Sequence, residues 1–154
     1  MTLLEVIRTI EAVAASQPSV NMIVRNDVFR INEAPDRRYG IFAWTQQQHT
    51  GGINTDLMTY RFVFFYVDRL TEDAGNQEEV QSVGIQTIDN ILRKLDDLGI
   101  YAGEWLFRTF NQRFVDECAG VWCEVSFQVP VSDICPEAFG DYLKSDFNSD
   151  FLIF

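Results

Sequence analysis

The sequence predicts an α+β fold: an antiparallel or mixed sheet packed against two helices, followed by an extended C-terminal arm. Three observations carry this. Apolar residues recur at helical spacing in two segments, residues 2–15 and 76–98. Runs rich in Val, Ile, Phe, Tyr and Trp, at strand length, fill the chain between and after those segments. The order helix, strands, helix, strands also differs from the strict βαβ alternation of a parallel sheet. At 154 residues with 47% apolar and 23% charged residues, the chain has material for one core and too little polarity for wholesale disorder.

The first helix is read from Leu3, Leu4, Ile7, Ile10, Val13 and Ala14, with Thr2 as N-cap and Glu5 three positions later, the pattern of a capping box. Ser16, Gln17 and Pro18 end it, since proline disfavours helical geometry at the residue before it. Alternation from Val20 to Val24, a turn or bulge at Asn26 and Asp27, and renewed apolar residues at Phe29 and Ile31 predict one interrupted strand or a tight hairpin. Tyr39 to Thr45 is a further strand. Thr55 to Arg69 is a long one, apolar on both faces around Phe62 to Val67, and therefore central. Gln46 to Asn54 joins the two as a polar, projecting hairpin loop.

The second helix takes Asn76 as N-cap and Glu79 at its third position. Its stripe is Val80, Gly84, Ile88, Ile91, Leu95 and Leu98, and Gly99 closes it. Gly84 on that stripe predicts close approach to the sheet. Trp105 to Phe110 and Val121 to Val129 are strands joined by a polar segment holding Asn111, Arg113, Asp116 and Glu117. In the second, Val121, Cys123, Val125, Phe127 and Val129 face the core while Glu124, Ser126 and Gln128 face water. Pro130 ends the regular region. The organisation is thus a domain over residues 1–129 and an arm over 130–154, whose apolar residues require something to dock on.

Twelve basic against 23 acidic residues give a net charge of −11, so the protein's own field opposes a grip on phosphate backbone. The longest apolar run is far short of the ~20 residues of a spanning helix, and no basic n-region precedes an apolar stretch at the start. Membrane insertion and classical secretion are not expected. Three cysteines cannot all pair within one chain, which favours a reducing compartment.

Reactive constellations are sparse. Cys118, Cys123, Cys135 and His49 could compose a Cys3His zinc site, or a cysteine with His49 and Asp56 a nucleophilic triad, but they lie in unrelated segments. Asp146, Asn148 and Asp150 alternate like calcium ligands without the glycine and bidentate glutamate of that loop. Glu72, Asp73, Glu78 and Glu79 suit the positive end of a helix dipole. No phosphate-binding glycine loop, nucleophile elbow or HExxH helix is present, so neither an enzyme nor a cofactor is expected.

Surplus apolar surface points instead to a homo-oligomer: helices covering one sheet face leave the other in need of cover. Phe147, Phe151, Leu152, Ile153 and Phe154 are candidate contacts to a neighbour. Gln46, Gln47, Gln48, His49, Gly51 and Gly52 are a candidate ring-stacking loop. The alternatives are a small metal- or thiol-dependent enzyme using the cysteines and His49, and an acidic DNA-mimic inhibitor suggested by charge.

The stretch FFYVDRLTEDAGNQEEVQSVGIQTIDNILRKL, Phe64 to Leu95, with NQRFVDECAGVWCEVSF, Asn111 to Phe127, and the opening helix, resembles small neck and tail proteins of tailed bacteriophages. It is most similar to those of Bacteroides and crAss-like phages, and the element order resembles the tail-terminator fold. The arm after Pro130 and the loop Gln46 to Asn54 depart from that pattern. The resemblance implies a structural protein of the virion, assembled in the host cytoplasm as a hexamer or dodecamer ring. It implies stacking on adjacent connector or tail ring proteins, with DNA passing through the channel without specific binding. Six copies would carry 6 × −11 = −66 and twelve 12 × −11 = −132, a field that repels duplex DNA.

Overall fold

The computed structural model describes residues 1–114, 116–131 and 152–154. Its fold is α+β, with a mixed sheet. The elements are α1 (Leu3–Ala15), β1 (Met22–Arg25), a 3-10 helix (Val28–Glu33), β2 (Ile41–Gln46), β3 (Leu57–Arg69), α2 (Gln77–Asp97), β4 (Tyr101–Ala102), β5 (Leu106–Arg113), β6 (Glu117–Pro130) and β7 (Leu152–Ile153). Strand order is β4-β6-β3-β2-β1-β7, with β5 beside β4 on the same flank of β6. β1 runs parallel to both β2 and β7; the remaining pairs are antiparallel. β3 is central, as its two apolar faces predict.

Both helices cover one face. Thr2 caps α1 with the reciprocal Glu5 bond, and Val6, Ile10, Val13 and Ala14 are buried. α2 lies on β3 and β6 through Val80, Gly84, Ile88, Ile91 and Leu95. A Cβ on Gly84 would stand 2.8 Å from Val121 Cγ2 and 2.9 Å from Tyr66 Cδ1, so the glycine permits the close approach. At the end of α2 the Ile100 amide donates to Leu95 O and the Gly99 amide to Asp96 O, with Gly99 at φ +85°: a Schellman close. The chain turns there, which leaves Leu98 half-exposed rather than on the buried stripe.

Three local expectations are corrected. Residues 28–33 form a 3-10 helix, not a resumed strand. Asn26 adopts φ +71°, Asp27 caps the helix by accepting from the Phe29 amide, and Val28 and Ile31, one 3-10 turn apart, are buried together. Asn76 sits at the N-cap of α2 without capping it. Its side chain accepts from the Thr71 amide and donates to Arg69 O, fastening the loop instead. The polar segment after Phe110 is largely strand: β5 reaches Arg113 and β6 begins at Glu117.

The second sheet face also departs from expectation, because the chain covers half of it. Met22, Val24, Ile41, Ala43 and Val67 pack beneath Val28, Ile31, Ala34 and Phe114, joined by Tyr39, Phe65, Phe110 and Phe154. The rest of that face is mixed: Glu124, Ser126 and Gln128 are exposed and Arg61 is half-exposed, beside half-buried Phe65, Phe110 and Trp122 and exposed Phe29 and Leu106. The chain's own cover thus narrows the bare face without removing it. Among the described residues a sheet edge is unpaired as well.

Candidate interaction surfaces

The β2–β3 hairpin is less free than its glutamines and glycines suggest. The Gln47 amide donates to Arg61 O (2.8 Å), and Thr50 and Thr59 exchange both backbone bonds (2.9 and 2.8 Å). His49 sits in the middle of this zipper. Its Nδ1 accepts from the Arg61 amide at 3.1 Å, its Nε2 lies 3.0 Å from Gln46 Oε1, and its ring packs on Tyr60 and Phe62. Partial burial lowers its pKa from the ordinary histidine value, in keeping with a neutral ring whose Nδ1 is an acceptor. Gln46, Gln47, Gln48, Gly51 and Gly52 are exposed, while His49 is half-buried.

Only residues 51–56 project. At their tip Ile53 is 99% exposed, with Leu57 and Val131 also exposed; the Val131 amide donates to Asp56 O. Sequence reasoning found the loop but assigned its role to the glutamines and glycines. The available signal was a single bulky apolar residue, Ile53, amid glycines and polar neighbours. Ile53→Asp is expected to leave stability within about 0.5 kcal/mol, since nothing packs on the side chain. It should weaken any assembly that uses this tip, read by sedimentation against the parent chain.

The second surface is the outer edge of β5. Its inner edge pairs with β6 from Leu106↔Glu124 to Arg113↔Glu117, and among the described residues no strand pairs with its outer side. Leu106 is 64% exposed, Tyr101 on β4 of the same flank is exposed, and Arg108 lies over the Trp122 ring at 5.4 Å. In this eight-residue strand without proline or lysine, the alternate backbone groups that point away from β6 form a template for an added strand.

The third surface is the opposite flank, where β7 closes β1. Met22↔Leu152 and Ile23↔Ile153 pair in parallel, the Phe154 amide donates to Ile23 O, and the Arg25 amide donates to Phe154 O, both at 2.9 Å. Phe154 joins the second core under the Arg30 guanidinium, 4.8 Å from the ring centroid. Ile153 and Phe154 are thus half-buried along the flank of β1. Phe147 and Phe151, like Asp146, Asn148 and Asp150, lie outside the described residues.

Cys118, Cys123 and His49 are not brought together. Cys118 and Cys123 are five residues apart on β6, hence on opposite faces, one in each core. Cys118 pairs in register with Arg69 while His49 binds Arg61, eight residues along β3, roughly 26 Å at ~3.3 Å per residue. Cys135 lies outside the described residues, and no metal-binding cluster occurs among those described. Burial pushes the Cys118 thiol up to about 11 and the Cys123 thiol up to about 12. Both are therefore protonated at neutral pH, where neither is a nucleophile. They should resist iodoacetamide in the folded protein and react fully in denaturant. Because the folded state holds these protons more tightly, their contribution is intact below pH ~9 and is lost as pH climbs from there through the folded values, so a thermal melt should fall over that window.

Tyr39 donates a short hydrogen bond to Asp116, whose carboxylate also faces Arg37 (3.9 Å) and Arg69 (3.8 Å). This cluster ties the loop before β2 to the β5–β6 turn. Burial and the Asp116 bond raise the Tyr39 pKa, which keeps the hydroxyl a donor.

No family model and no curated protein matches the chain.

Proposed function

We propose that this chain is a bacteriophage virion structural protein that forms a homo-oligomeric ring in the head-tail connector or tail, around the DNA channel. The observation that carries the reading is the asymmetry of the two sheet flanks. One ends in the outer edge of β5, against which no strand lies among the described residues; the other, at β1, is completed by a two-residue strand that arrives from a distant point in the chain. Two different, mutually compatible edges on opposite sides of a subunit make a heterologous contact, and such contacts close into rings when the rotation per subunit allows. Edge pairing also satisfies backbone groups that otherwise invite uncontrolled aggregation.

The charge of −11 supports passage of DNA without adhesion. The projecting tip around Ile53, at the end of the sheet rather than at a flank, supports stacking on an adjacent ring protein. The resemblance of Phe64 to Leu95 and Asn111 to Phe127 to phage neck and tail proteins points the same way. Imaging an assembled particle that contains the chain tests the reading: six or twelve copies around the axis of the connector or tail are expected. Density there accounted for wholly by other proteins would overturn it.

A further inference from the structure

We propose that β7 is an exchanged strand: in the assembled protein, the Leu152–Phe154 segment that closes β1 is donated by a second copy of this chain. This inference rests on the ring reading and names its interface. β1 is a four-residue strand whose Met22, Ile23 and Val24 are fully buried in the two cores, and its outer flank is paired by Leu152–Ile153. Among the described residues that arm alone covers this edge, whether it comes from its own chain or from another.

Topology favours another. β6 and β7 are parallel, because β6 is antiparallel to β3, β3 to β2, and β2 and β7 are both parallel to β1. A single-chain link from β6 to β7 must return the length of the sheet while passing β3, β2 and β1. The fold already contains two crossovers between parallel strands: β1 to β2 through the 3-10 helix on the open face, and β3 to β5 through α2 on the helix face. These share one hand. A β6-to-β7 link over the open face runs in the reverse direction to β1-to-β2 and has the opposite hand, which parallel connections almost never adopt. The matching hand requires the other face, which α1 and α2 already fill. Donation to a neighbour removes the conflict. The twenty residues 132–151 give ample reach, about 3.3 Å each when extended.

The donated segment would bring two β-ladder residues, the two backbone bonds of Phe154 and an aromatic ring for the neighbour's second core. That is strand addition at an edge with a side-chain anchor.

Engineered disulfides test the inference. In a Cys135→Ser background, one variant carries Met22→Cys with Leu152→Cys and a second Ile23→Cys with Ile153→Cys; both pairs are register partners at bridgeable separation. After oxidation, a non-reducing denaturing gel should lose the monomer band to covalent multimers in either variant that retains the parent circular dichroism. Cross-linked monomers alone, or no bridge in either folded variant, would overturn exchange. The reduced parent protein, weighed by native mass spectrometry, separates the two ideas: an oligomer whose arms bridge only within chains sinks the exchange and spares the ring, whereas a monomer sinks both.

Discussion

Arg25→Ala is expected to destabilise the fold by about 3 kcal/mol, seen as a lower denaturation midpoint at an unchanged slope. Glu11 lies on α1 with its side chain fully buried, and Arg25 at the end of β1 pairs with it, donating through Nε at 2.9 and 3.0 Å and through Nη2 at 2.6 Å. Removing the guanidinium strands a carboxylate beneath the helix. Most of the loss is the cost of that orphaned charge, not the worth of the pair, so the double replacement Glu11→Leu with Arg25→Met should recover most of it. If the single and double variants lose the same stability, the pair is not the cause.

Gly120→Ala should cost at least as much. Gly120 faces Val67 across the β3–β6 ladder, and a Cβ there would stand 2.0 Å from Tyr66 O and 2.9 Å from Phe110 Cζ. The nearest atom is backbone in the central strand, so rotamer changes cannot relieve the clash. The strands must part, and overpacking of this kind costs about 3 kcal/mol or more. Gly84→Ala makes the informative contrast: its contacts are side-chain atoms of Val121 and Tyr66, and alanine's helix propensity offsets about 1 kcal/mol. The ranking Gly120→Ala worse than Gly84→Ala, measured by chemical denaturation, checks the packing account.

Legibility in the sequence followed how local the cause was. The capping box of Thr2 and Glu5, the alternation from Val121 to Val129 and the Gly99 stop each depend on residues within a few positions of one another, and each forms as read. Phe29 and Ile31 misled because a spacing of two reads as strand, whereas the residues buried together are Val28 and Ile31, one 3-10 turn apart, and Phe29 is exposed. Asn76 misled because its amide found Thr71 and Arg69, outside the helix it precedes. Glu11 was legible in hindsight: it sits four after Ile7 and three before Ala14, a charge within the buried stripe that needed a partner.

The candidate surfaces were less legible. Which strand lies at an edge depends on sheet order, so the free flank of β5 could not be read from LFRTFNQR, where polar and aromatic residues mix as in any half-buried strand. Phe114, Phe154 and the 3-10 helix cover part of the second sheet face from distant positions, a long-range arrangement that periodicity does not report, whereas the fold class rests on periodicity alone.

The most direct test of an edge-joined ring is hydrogen exchange across the β5 amides, followed from dilute to concentrated full-length protein alongside the native mass. The account predicts a shift from monomer to six or twelve copies, together with new protection confined to residues 106–113 and the β1 flank. A particle that stays monomeric at every concentration, with β5 amides exchanging at one unchanged rate, would contradict it.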